Sequence, residues 1–160
     1  YFVEAAKLVL DRLPHTRFIM AGSGDMMDAM IRLAAQRNIA DRFHFTGFLR
    51  GKQVYEMLAD SDVYVMPSVS EPFGISPLEA MEMGVPSIIS KQSGCAEILN
   101  NVIKTDYWDI DAMADAMHAL VSYPAMHDYL RVKGIEEIHG ITWEKAGQKV
   151  IDIYNQVINK

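Results

Sequence analysis

The spacing of apolar positions changes repeatedly along this 160-residue chain. Phe2, Ala5, Ala6, Val9 and Leu13 recur every three or four residues and stop at Pro14, which predicts an opening helix with one face on a core. The apolar run from Arg17 to Ala21 ends at Gly22-Ser23-Gly24, a strand followed by a glycine turn. Met27, Met30, Ile31, Ala34 and Ala35 then fall on one helical face. The alternation continues with a strand over Phe43 to Phe48, a helix over Gly51 to Asp60 and a strand over Val63 to Pro67, then a helix over Pro77 to Met83 and a strand over Pro86 to Ser90. Short apolar strands separated by helices specify parallel crossovers with helices on both sheet faces. The predicted fold is α/β, a Rossmann-like doubly wound parallel sheet, in one domain over residues 1–160.

Past Ser90 the pattern predicts a short strand around Val102 to Lys104 and helices over Ile110 to Val121 and Ala125 to Lys133. Thr142 is placed to cap a last helix whose Trp143, Ala146, Val150, Ile153, Tyr154 and Val157 make one apolar stripe. No internal repeat or low-complexity linker interrupts the chain. The eleven Met residues lie scattered on apolar faces, where gap-filling in the core is the expected role.

Composition narrows the function more than the fold. Half of the residues are hydrophobic and 22% are charged, the balance of an ordinary globular protein. A net charge of −6 and a pI near 5.3 argue against a general nucleic-acid binder, which needs a cationic face. Cys95 is the only cysteine, so no intrachain disulfide can form and a reducing, cytoplasmic location is expected. No apolar run reaches the roughly 18 residues of a membrane span, so no transmembrane segment is predicted. His15, His44, His118, His127 and His139 lack metal-ligand spacing, and no metal or other cofactor is expected.

In a doubly wound sheet, ligands collect outside the carboxyl ends of the strands. Three loops there carry suitable residues. Gly22 and Gly24, within Gly22-Ser23-Gly24-Asp25, let backbone approach a phosphate or sugar closely, yet they serve a plain strand-to-helix turn equally well. Met27 occupies the place of the third glycine of a dinucleotide fingerprint, which disfavours a nicotinamide or flavin enzyme.

The second loop, Pro67 to Ala80, holds two acids eight positions apart, Glu71 and Glu79, around a Phe73-Gly74 turn that leads into a helix. Backbone N–H groups suit a diphosphate, and carboxylates accept hydrogen bonds from vicinal hydroxyls, so the pattern fits a sugar nucleotide. Ser76, Pro77 and Glu79 also read as a capping box with proline at the first helical position, a purely structural use of Glu79. Glu71, between Ser70 and Pro72, has no such structural use. The third loop, Ser90 to Glu97, either lines the same crevice or is a turn.

These residues resemble the carboxyl-terminal, donor-binding domain of group 1 retaining glycosyltransferases of the GT-B architecture, relatives of glycogen, starch and sucrose synthases. The likeness includes Gly22 to Asp25, Phe45-Thr46-Gly47-Phe48, Asp62 to Ser68, the specific stretch Glu71 to Ile88 and Thr142-Trp143-Glu144. The resemblance implies that Glu71 lies against the donor sugar and that Glu79 binds the ribose hydroxyls. It further implies that Phe73, Gly74 and Ile75 present amides to the sugar and diphosphate, while the loops at Gly22 to Gly24 and Gly47 to Leu49 border base and phosphates. The implied reaction is a metal-free hexosyl transfer that keeps the anomeric configuration, from a nucleotide-sugar donor to an acceptor held by an amino-terminal domain absent from this sequence.

Two departures bear on that expectation. Ser93-Gly94 stands where the family commonly has paired glycines. The family's phosphate-neutralising Arg and Lys follow its first strand, and both the strand and the two cations lie ahead of the residues present here. Lys91, Arg50 and Lys52 are the nearest cations in sequence and read as surface charges, so the fragment alone is expected to transfer nothing. In the family the missing strand lies between those at Arg17 to Ala21 and Val63 to Pro67; a neighbouring chain, a further segment or a closed-up sheet is expected there.

Two other functions compete. A sugar-nucleotide epimerase shares the architecture but needs no acceptor. A non-catalytic nucleotide-binding module with a receiver-like sheet is disfavoured, because the acidic cluster and strand-end Lys of a receiver are not suitably placed. Cys95 as a nucleophile has no His placed by any motif and reads instead as a small residue beside Gly94.

Overall fold

The protein is described by a computed structural model over residues 1–158. In chain order its elements are α1 (Phe2–Arg12), β1 (Phe18–Ala21), α2 (Met27–Gln36), β2 (Phe43–Gly47), α3 (Lys52–Ala59) and β3 (Tyr64–Met66), then α4 (Ser76–Glu82), β4 (Ser87–Ser90), β5 (Ile103–Thr105), α5 (Ile110–Ser122), α6 (Pro124–Ile138) and α7 (Trp143–Ile158). All strand pairs among them are parallel, as short apolar strands joined through helices require.

The strands form two sheets. β1 pairs with β2, and β4 lies between β3 and β5, with Ile88 opposite both Val65 and Ile103. Every residue of β4 is buried, the normal state of an apolar strand with a neighbour on each side. β1 and β3 are just as apolar but, among the described residues, each pairs with a single neighbour; Ile19 is 41% exposed, and all of β3 except Met66 is half-buried. Between these two edges lies a cavity of about 1310 Å³, lined by Ile19 and Met20 of β1, Val65 of β3, Val9 of α1, Met117 of α5 and Met57 of α3. The closed-up sheet is therefore not what forms.

The two sheets share one helical layer. Val3, Ala5, Ala6, Val9 and Leu10 of α1 are buried with Met113, Ala114, Ala116, Met117 and Leu120 of α5 in a core that also takes in Phe18 and Ile88. Burying each such Val, Leu or Met side chain contributes about 1.5–3 kcal/mol, which makes this layer the main tie between the sheets. Aromatic rings thicken it beneath the first sheet, where Phe18 stacks on Phe43 at 5.1 Å and Phe43 on Phe45 at 5.6 Å.

Two helices depart from the sequence pattern. α6 runs to Ile138, beyond the predicted Lys133, although its apolar residues keep to no single face. Gly134, its one buried residue, lets α6 approach Met81 of α4, and α6 also packs on α5. α7 begins as predicted, with Thr142 Oγ1 accepting from the N–H of Lys145 at 3.3 Å, but its stripe finds no core. No described residue of α7 is buried, and Trp143 is 89% exposed. Among the described residues no helix is long and apolar enough to cross a membrane.

Candidate functional site

The loop from β3 to α4 is held from below by the loop after β4. Glu71 and Ser93 form a one-residue parallel bridge; the Gly94 N–H donates to the Glu71 carbonyl at 2.9 Å, and the Cys95 N–H to the Phe73 carbonyl at 2.7 Å. Gly94 is required by this close approach, since a Cβ there would overlap the carbonyl oxygen of Pro72. Gly74 is required on two grounds. Its φ of +95° is left-handed, and a Cβ would press on Met66 Cε, Glu71 Cγ and Cys95 Sγ at 3.0–3.3 Å. Cys95 is buried directly beneath the turn, a packing role that fits the small-residue reading and not a nucleophile. The third loop is therefore a support for the second: Ser93 Oγ donates to the Ser90 carbonyl and Ser90 Oγ to the Ser68 carbonyl, each at 2.7 Å.

The capping box is not formed. The helix starts one residue earlier than predicted, with Ile75 at the cap and no side-chain cap bond. Ser76 Oγ instead accepts from the hydroxyl of Tyr64 at 2.7 Å and faces Met66 Sδ. Glu79 is thereby free of the structural use that competed for it, and among the described residues its carboxylate has no hydrogen-bond or ion-pair partner. The Glu71 carboxylate makes one long contact, accepting from the Phe73 N–H at 3.4 Å. Among the described residues the N–H groups of Gly74 and Ile75 have no protein acceptor.

Tyr64 joins these groups electrostatically. Burial pushes its phenol above the ordinary tyrosine range; the bond to Ser76 opposes this, and Cys95, Glu79 and Glu71 reinforce it. Both acids thus disfavour ionisation of the same half-buried tyrosine. Sequence reasoning passed over Tyr64, whose place in an apolar strand reads as core and whose hydroxyl lies twelve positions from Ser76.

The other predicted residues are distributed more loosely. Gly22 has a φ of +127°, and its N–H donates to the Gly47 carbonyl at 2.8 Å, joining the β1 and β2 loops. Gly24 accepts from the Met27 N–H in the turn before α2, and neither glycine would meet another atom through an added Cβ. Gly22, Phe48, Leu49, Pro67 and Ser76 all border the inter-sheet cavity; Glu71, Phe73, Gly74, Ile75, Glu79 and Gly24 do not. Phe73 and Ile75 are exposed. The three nearby cations each have another engagement: Lys91 pairs with Asp106 at 2.8 Å, Lys52 with Glu56 at 2.6 Å, and Arg50 lies over Phe48 at 5.3 Å from the ring centre.

Residues 1–137 match the family described as glycosyl transferases group 1. An uncharacterized glycosyltransferase of Methanocaldococcus jannaschii is 28% identical over 96% of this chain and 40% of its own length. A 2-deoxystreptamine N-acetyl-D-glucosaminyltransferase of Niallia circulans is 30% identical over 86% of this chain and 36% of its own length. The chain thus spans less than half of either relative. In fold it is similar to TarM of S. aureus, solved in complex with fondaparinux, alpha-GlcNAc-glycerol and UDP (TM-score 0.83, 21% identity, 96% of this chain and 32% of that one). It is also similar to WaaG, a glycosyltransferase involved in lipopolysaccharide biosynthesis (TM-score 0.80, 18% identity, 95% of this chain and 42% of that one). By the extent of the family match, and with a parallel α/β fold of the GT-B carboxyl-terminal kind, the chain belongs to the group 1 glycosyl transferases.

Proposed function

We propose that this chain is the nucleotide-sugar-binding part of a retaining hexosyltransferase. The observation that carries the reading is the Glu71–Gly74 turn, fixed by two backbone bonds from Gly94 and Cys95 while, among the described residues, the Glu79 carboxylate and the Gly74 and Ile75 N–H groups have no protein partner. Unspent donors beside unspent acceptors at a strand end suit a ligand that carries both an anionic diphosphate and hydroxyls. In this reading Glu71 lies against the sugar, Glu79 accepts from the ribose hydroxyls, and the amides of Phe73, Gly74 and Ile75 face the sugar and diphosphate. Gly22 and Gly24 border the nucleotide. The TarM structure and that of a pneumococcal O-GlcNAc transferase, the latter 21% identical with a TM-score of 0.77, both contain UDP, which supports a nucleoside diphosphate as the first ligand to try.

Transfer needs more than this chain supplies. Cleaving a glycosyl phosphate bond develops positive charge on the sugar and added negative charge on the leaving diphosphate, and a donor aimed at such charge is worth about 3–4 kcal/mol. Lys91, Lys52 and Arg50 are engaged elsewhere, so we assign the neutralising cations and the acceptor site to the remainder of a longer enzyme. The reading calls on no metal. Calorimetric titration of UDP, GDP and ADP tests it: one of them should bind the chain weakly and lose that binding in Glu79→Ala. Equal binding by the variant, or heat from none of the three, would overturn it.

A further inference from the structure

The residues Ser76-Pro77-Leu78-Glu79 specify one start for α4, and the structure takes another. A residue before proline disfavours the helical region, and a serine followed by proline, with glutamate third along, suits the cap position. Local chemistry therefore places Ser76 just outside the helix. In the structure Ser76 is instead the first helical residue, and the Glu79 N–H donates to the Ile75 carbonyl at 3.1 Å rather than to Ser76 Oγ. The other bond of the box lies open: among the described residues neither the Ser76 N–H nor the Glu79 carboxylate has a protein partner.

What opposes the box is Tyr64. Its N–H is bonded to the Pro86 carbonyl at 3.0 Å, and its side chain packs against two core clusters, one including Met66 and Met81 and one formed by Leu58, Ala80 and Val85. The hydroxyl thus reaches Ser76 Oγ, at 2.7 Å, from a fixed strand. With Met66 Sδ 3.9 Å away, the Ser76 hydroxyl faces the sheet, whereas a cap needs it turned along the helix onto the Glu79 N–H. Burial, the largest influence on the Tyr64 phenol, raises its pKa, so the group stays protonated and able to donate.

We propose that Tyr64 is a positioning residue: by holding the Ser76 hydroxyl it keeps the capping box from forming, and so keeps the Glu79 carboxylate unengaged for the hydroxyls of a nucleotide. The use made of Glu79 rests on the donor-binding reading; the contest for Ser76 does not. Without the Tyr64 hydroxyl, box and ligand compete for one carboxylate, and the apparent affinity falls by the fraction of molecules whose Glu79 is free. A serine cap stabilises a helix start enough to fill the box in most molecules, which sets the loss at about fivefold.

The test compares the 160-residue chain with Tyr64→Phe, Ser76→Ala and the double variant. Hydrogen exchange at the amide of residue 76 is read without nucleotide, and affinity for UDP, GDP and ADP by calorimetry. Tyr64→Phe should slow that exchange about fivefold and weaken binding by the same factor, because one equilibrium governs both. Ser76→Ala breaks the same hydrogen bond but cannot form the box, so it and the double variant should bind within about twofold of the parent. Binding restored by a second substitution is a result that loss of a merely stiffening bond does not give. Unchanged exchange in Tyr64→Phe would overturn the proposal, as would equal weakening of binding in all three variants. Slowed exchange with no nucleotide bound by any form would uphold the hold of Tyr64 on Ser76 and overturn the donor-binding reading instead.

Discussion

The hydroxyl of Tyr64, the first residue of β3, donates to Oγ of Ser76, the first residue of α4, at 2.7 Å. This bond ties the strand floor to the helix that carries Glu79, and it displaces the capping box. A partly buried hydrogen bond of this kind contributes about 1 kcal/mol net. Tyr64→Phe should therefore lower stability by about 1 kcal/mol in urea unfolding, and Ser76→Ala by a similar amount. The double variant should cost less than the sum, because both single changes remove the same bond.

The glycines of the supporting loops should rank by what their missing Cβ would meet. Gly94→Ala collides with backbone that is itself hydrogen-bonded, and should cost the most, about 3 kcal/mol. Gly74→Ala combines left-handed backbone with side chains that can yield, whereas Gly22→Ala meets nothing and carries backbone strain alone, about 1–2 kcal/mol. Urea midpoints in the order Gly22, Gly74, Gly94 from highest to lowest would agree; a Gly94→Ala protein as stable as the parent would contradict the two-loop contact.

Glu79→Ala should leave stability within about 0.5 kcal/mol of the parent, since the carboxylate has no partner among the described residues. Its effect on nucleotide binding would then be an effect on the ligand, and thermal denaturation without nucleotide separates the two.

Glu137 should contribute to the loss of stability in acid. Burial alone would raise its pKa, but its carboxylate accepts from the N–H groups of Asn101 and Asn100, both at 2.8 Å, and from their side-chain amides at 2.9 and 3.0 Å, and the balance lowers it. A depressed carboxyl pKa stabilises the fold above the unfolded value of about 4.3 and loses that contribution as pH falls through the folded value. Glu137→Gln should lower the urea midpoint at neutral pH and flatten its decline below about pH 4.3. A parallel acid decline in both proteins would assign the loss elsewhere.

The exposed stripe of α7 gives a prediction of indifference. Val150→Glu with Ile153→Glu should change the unfolding free energy by no more than about 0.5 kcal/mol, because neither side chain is buried. A loss of several kcal/mol by urea titration would mean that this face packs within the folded chain.

The strands were legible because β1, β3 and β4 are short apolar runs between glycines and polar turns, a local signal. α6 was read short because Pro124 to Ile138 has no apolar period, and Gly134, which looks like a helix end, is a contact with Met81. Within the site, Glu71 stood out as an acid without a structural use, whereas Glu79 read equally well as part of a capping box that only the structure shows to be unformed. The bonds from Gly94 and Cys95 to Glu71 and Phe73 span more than twenty positions, and Asp106 lies fifteen from Lys91, separations over which sequence spacing carries no geometric information.

Among the described residues no ladder of peptide groups runs from β1 to β3; α1 and α5 hold the halves together through side chains. Such contacts are non-directional, so they resist separation strongly and lateral sliding weakly. The seam between the halves should thus be the most compliant line in the molecule, yielding under pressure or mechanical load before β4 gives up any hydrogen bond.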